Sequence, residues 1–168
     1  MRFVYLFSVW LHILSATVWI GGMTFVALVV VPVIRRPEMR ESAARLIHFT
    51  GVRFRWIGWT GFALLFVTGL FNLIYRLESW TDLFTARLWS GPFGWLLGWK
   101  LAVFALILAM SAAHDFVVGP RATAVWQKSP GSPEATRLRM QATWFGRVNL
   151  LLALIILGLA IMLVRGAF

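Results

Sequence analysis

Cysteine is absent from this 168-residue chain, and acidic residues are scarce: six, against sixteen lysines and arginines. Without cysteine the chain forms no disulfide, and by itself holds no thiolate metal site or iron–sulfur cluster. Charge of either sign is thin, at 13% of residues, where a water-soluble domain carries roughly a quarter. Strand-like alternation is missing too, which argues against a membrane β-barrel. What fills the chain is oil: 60% of its residues are hydrophobic and they come in long blocks, so the solvent for most of it is lipid. The net charge of +10 sits on residues flanking those blocks, where it sets topology and meets anionic headgroups. No basic segment stands apart from a membrane boundary, so nucleic acid is not the expected partner; membrane lipid is.

Four apolar spans are visible, from Phe3 to about Ile34, Trp56 to Tyr75, about Trp95 to Val118, and Val148 to Val164. Each reaches or approaches the ~20 residues that cross ~30 Å of hydrocarbon as a helix. The expected fold is an all-α membrane protein, a four-helix transmembrane bundle forming one domain over residues 1–168. The first span is far longer than the 7–15 residues of a signal-peptide core, and Arg35 and Arg36 follow it as a stop, so it reads as a retained helix. Arg35, Arg36, Arg40, Arg45, Arg53 and Arg55 lie between spans one and two. Arg121, Lys128, Arg137, Arg139 and Arg147 lie between spans three and four. Positive-inside bias therefore puts both loops in the cytoplasm and both termini on the external, periplasmic side of a bacterial-type inner membrane. The outer loop carries Trp80, Trp89, Trp95 and Trp99, reads as a short interfacial helix, and has Ser79 and Asp82 spaced as a capping box. "PEMRESAARLIHF" reads as helical after Pro37 and as an extension of the second helix. "QKSPGSPEATRLRM" reads as the turn before the fourth.

The polar residues inside these spans are few and ordered. Ser8, His12, Ser15, Trp19 and Gly22 form one stripe of the first helix, and small or polar residues on one face are what a membrane helix presents to its neighbours. His12 thus faces the bundle. On the third helix Lys100, Val103, Ile107, Ser111 and His114 share a face, with Met110 one turn before His114. Lys100 and His114 are separated along it by roughly 21 Å at 1.5 Å per residue. Depth pairs His12 with Lys100, in the outer half, and not with His114. Two positive charges side by side in oil repel, so a neutral imidazole is the form of His12 that fits there. Toward the cytoplasm His48, His114 with Asp115, and Arg147 with Asn149 form a second group. Two histidines with arginines nearby suit a haem iron with its propionates, or a metal with an anion. Simpler roles stand beside these: His12 as an interhelical hydrogen bond, His48 as a headgroup-facing histidine, Lys100 as a snorkelling anchor, and Arg147 as a boundary arginine on phosphate. The methionines Met23, Met110, Met140 and Met162 do not cluster in sequence, which gives a methionine copper relay little support.

"LHILSATVWIGGMTFVALVVVPVIRR", "RFRWIGWTGFALLFVTGLFNLI" and "WKLAVFALILAMSAAHDFVVGPR" resemble successive helices of CopD-like (copper resistance D) membrane domains. The resemblance rests on the first-helix His with W-x-G-G after it, the V-T-G-L-x-N of helix two, and the Lys-to-His third helix. The chain is also similar to HemJ-type protoporphyrinogen oxidases, four-helix haem-binding proteins with a first-helix His, a third-helix Lys then His, and a fourth-helix R-x-N. By position, His12, Lys100, His114, Arg147 and Asn149 match these patterns, and His48 matches neither. The first helix ends "VVVPVIRRPEM" without the histidine of HemJ-like chains, and Leu150 stands where they place an acid after the Asn. The CopD-like resemblance is the fuller one.

The resemblance implies copper handling; the residue chemistry favours imidazole-held haem b or copper, since Cu(I) carriers recruit thiolates and thioethers and this chain has no Cys. The expected function is a CopD-like membrane protein with a haem b or copper centre held by His114, His12 and His48, with Lys100, Arg147 and Asn149 lining it. Its role would be redox or copper handling with a membrane partner of the same kind. The alternatives are a cofactor-free subunit of a membrane complex and a HemJ-like porphyrinogen oxidase.

Overall fold

In a computed structural model the protein is almost entirely helical. The structure describes residues 2–77 and 79–166, without the side chain of Arg40. Met1, Glu78, Ala167 and Phe168, and with them the two chain ends whose side the sequence assigns, lie outside the described residues. Four helices are long and apolar enough to cross a membrane: α1 (Arg2–Ile34), α2 (Arg40–Arg76), α3 (Pro92–Lys128) and α4 (Pro133–Arg165). At 33 to 37 residues each they are about 50–55 Å long, well beyond the ~30 Å of a hydrocarbon core. The apolar blocks therefore mark only the middle of each helix, which explains the differences from the spans read off the sequence.

Those differences have local causes. α2 begins fifteen residues or more before Trp56, right after a 3-10 turn at Pro37–Met39, as the pattern after Pro37 predicts. α3 runs ten residues past Val118 despite Pro120, and α1 runs to Ile34 through Pro32. Proline lacks an N–H, and its ring clashes with the carbonyl four residues back. Each proline stands two residues past a π-helical segment, Val26–Val30 or His114–Val118, after which the next N–H reaches five residues back: Val31 to Val26, Gly119 to His114. The widened turn moves the carbonyl out of the ring's way. The stretch read as a turn before the fourth helix is mostly helix. Only Ser129–Ser132 turns, with Gly131 at φ 86, and α4 starts at once on a Ser132 N-cap that accepts from the Ala135 N–H, with Pro133 at its first position. In the loop between α2 and α3 the Ser79–Asp82 capping box forms as read, but on a 3-10 segment, Trp80–Phe84. Thr85 is extended and a separate short helix, Ala86–Ser90, follows, so the single interfacial helix is two pieces.

The helix ends are tied by cations on rings. Arg76 lies 4.6 Å from the Phe93 ring centre and Arg139 lies 4.0 Å from that of Trp126, joining α2 to α3 and α3 to α4. The short helix Ala86–Ser90 crosses α3 at Gly94, where any Cβ would run into the Leu88 and Trp89 backbone.

Inside, Trp19, Phe62, Ile107, Leu152 and Ala153 form one buried apolar cluster drawn from all four helices. Large residues such as Phe3, Phe66, Trp56 and Leu151 face outward, the arrangement expected when the surroundings are lipid and burial of apolar surface gives no advantage over exposing it.

Candidate functional site

The buried residues of α1 between Arg2 and Phe25 are Ser8, Ser15 and Trp19, so the polar stripe read from the sequence is its packing face. It lies antiparallel against α2. Tyr5 stacks on Tyr75 with ring centres 4.3 Å apart, His12 meets Thr68, Trp19 covers Gly58 and Phe62, and Gly22 sits under Phe54. His12 Nδ1 is 2.8 Å from Thr68 Oγ1. The Thr68 hydroxyl donates its one proton to the Leu64 carbonyl, so its oxygen accepts from His12 and the imidazole carries its proton on Nδ1. Nε2 is left with a lone pair for a metal or a proton. A Cβ on Gly69 would stand 3.2 Å from His12 Cε1, and its absence seats the ring. One turn toward the N-terminus of α1, the register sets Ser8 opposite Asn72, and each has a buried oxygen with no hydrogen-bond partner. No described acid lies within ion-pair distance of Lys100. The "VTGLFN" of α2 is thus His12's other half: Thr68 fixes its tautomer, Gly69 makes room, and Asn72 extends the polar level toward the N-terminus of α1.

His114 stands at a second level. Its Nδ1–H donates to Asp115 Oδ1 at 2.9 Å, and the Trp59 indole N–H donates to Asp115 Oδ2 at 3.1 Å. Neighbouring side chains on a regular α-helix do not face each other; this pair meets at the start of the π segment. Metal-ligating histidines characteristically donate their second N–H to a carboxylate, which fixes the ring and raises its basicity. His114 has that arrangement, with Phe145 beside the ring. Arg55, one turn before Trp59, lies over Phe116 and has a buried Nε with no partner. One turn back along α3, Ser111 accepts from Asn149 Nδ2 at 2.9 Å, and Asn149 Oδ1 is buried without a donor.

The two levels do not merge. Thr68 and Trp59 are nine residues apart on α2, about 13 Å, and the Trp19–Phe62–Ile107 layer fills the space between. Depth separates His12 from His114, as the sequence predicts. Two expected members of the inner group are not brought in. Arg147 is exposed while Asn149, two residues on, is buried; His48 is exposed and sits edge-on to Phe49, eleven residues or about 16 Å along α2 from Trp59. Among the described residues no three of His, Asp and Glu converge. Sequence reasoning missed Trp59 and Thr68, whose donor and acceptor roles depend on helix register.

Four long apolar helices with polar residues turned into their contacts define an α-helical membrane protein. Residues 50–163 match the family described as copper resistance protein D, CopD. An uncharacterized protein of Aquifex aeolicus (strain VF5) is 32% identical over 153 residues, covering 90% of this chain and 89% of that protein. The chain belongs to the CopD family. No solved structure matches it. The family match takes in Lys100, His114, Arg147 and Asn149 and leaves out His12 and His48.

Proposed function

We propose that the protein handles copper as cargo within the membrane, with His12 and His114 as two separate single-imidazole stations. The observation that carries this reading is the Trp59–Asp115–His114 chain, which presents one ring nitrogen as a ready ligand. A resident ion needs three or four protein donors, and these residues do not supply them at either level. Cargo needs the opposite, binding favourable enough to enter and weak enough to leave. Met110, one turn before His114, adds a thioether suited to Cu(I). Membership of the CopD family supports copper as that cargo.

The purified protein, titrated with Cu(I) and Cu(II), is expected to bind copper saturably with histidine nitrogen in the X-ray absorption spectrum. A Soret band that shifts on reduction would replace this reading with b-type haem. One observation favours that second reading: the unpartnered Arg55 Nε at the His114 level is a donor suited to a propionate. A colourless sample that binds no copper would leave a structural subunit. A HemJ-like oxidase has only the sequence pattern in its favour.

The arginine asymmetry orients this multi-pass protein in an inner membrane, with the loops around Ser42 and Ser129 cytoplasmic and that around Ser79 external. Copper would then pass between an external supplier and a cytoplasmic acceptor. Single cysteines at the three positions, in a chain with no other, are expected to react from those sides. Labelling of Ser79→Cys only from the cytoplasm would invert the topology.

A further inference from the structure

Where α1 and α2 touch, small residues thin the contact. Ser15 and Gly61 are buried there, and outside them runs a groove of about 400 Å³, open toward lipid. Its walls are apolar, with Leu14 and Val18 on one side and Ile57 and Leu64 on the other. Arg53 closes one end, beside Trp56, which is 71% exposed. From Arg53 to Leu64 the groove runs about 16 Å along α2, close to the ~15 Å depth of one leaflet.

We propose that this groove is a binding site for one anionic phospholipid, an acyl chain lying along α2 and the phosphate on Arg53. The asymmetry of the ends carries the assignment. The charged end lies where the apolar stretch of α2 begins, at headgroup depth; the far end, at Leu11 and Leu64, offers nothing polar. Trp56 supplies the amphipathic ring that settles at the interface. Arg55, two residues on, and the arginines before α2 add positive charge on the same side. A headgroup carrying its own ammonium is disfavoured there, and phosphatidylglycerol fits better than phosphatidylcholine. This site is independent of copper: it shares no histidine with either level.

Native mass spectrometry of the full chain, released from micelles holding equal phosphatidylglycerol and phosphatidylcholine of matched chains, tests it. The chain is expected to retain one phosphatidylglycerol with about a fivefold preference, the worth of one arginine at a membrane surface. Arg53→Gln should bring the preference close to one, and Arg53→Lys should largely keep it. Thr60→Trp, which fills the groove, should lower retention of both lipids. Arg45→Gln, an exposed arginine of the same helix outside the groove, should change nothing. No preference in the unaltered chain, or an equal loss in Arg45→Gln, overturns the proposal, the latter by showing diffuse surface attraction.

Discussion

In the His114→Ala variant, copper affinity at the inner level is expected to fall by more than about a hundredfold, with helix content unchanged. The bound is set by the partners: removing the group that orients a ligating histidine already costs about 10–100-fold. Asp115→Asn keeps the shape and one acceptor oxygen but removes the charge that raises imidazole basicity, and belongs in that 10–100-fold range. Trp59→Phe keeps the ring that packs on Phe62 and Phe116 and loses only the N–H, so Asp115 gains freedom and the loss should be a few-fold. Competition with a copper chelator, with circular dichroism on the same samples, measures all three. Equal affinity in His114→Ala and the unaltered chain removes His114 from the site. A loss in Asp115→Asn without one in His114→Ala would assign the metal to the carboxylate instead.

At the outer level the expected result is a coupling. Thr68→Val preserves shape and deletes the acceptor for His12 Nδ1–H; interhelical hydrogen bonds in membranes average about 0.6 kcal/mol, with the strongest near 2. His12→Phe keeps most of the volume and deletes the donor. Either single change should lower thermal stability in detergent, and the double variant should be no worse than the poorer single, so the two losses fall short of additive by about 1 kcal/mol. Strict additivity would show that the 2.8 Å contact contributes nothing. His12→Phe should also abolish copper delivery into proteoliposomes, while Thr68→Ser, which keeps the hydroxyl, should pass copper normally. Full delivery by His12→Phe reduces His12 to a helix contact.

The number of helices was legible because apolar runs of this length have one stable form in lipid. The buried stripe of α1 was legible because 3.6-residue periodicity sorts Ser8, Ser15 and Trp19 onto one face without knowledge of the partner helix. Helix ends were not, since outside the hydrocarbon hydropathy no longer marks them, and the passage of α3 through Pro120 depends on a π turn that no residue announces. Pairings between helices were harder still. That Thr68 faces His12 while Asn72 faces Ser8 follows from the antiparallel register of α1 and α2, which only packing decides. Likewise, Arg147 and Asn149, two residues apart, point to different environments because 200° of helix separates them.

The apolar layer between the two histidines has an electrical consequence. A bilayer drops its voltage across hydrocarbon, and the layer places His12 and His114 about 13 Å apart within about 30 Å of it. A unit charge crossing the whole field exchanges about 2.3 kcal/mol per 100 mV, so one moving from the first imidazole to the second exchanges about 1 kcal/mol. If the proposed topology turns the arginine-rich ends to a negative cytoplasm, that slope would drive a cation inward. On the copper reading, Trp19, Phe62 and Ile107, which pack between the two levels, would have to part before an ion passes. Until they did, the packed layer would on that reading insulate the bundle and keep each proposed station in equilibrium with its own side of the membrane.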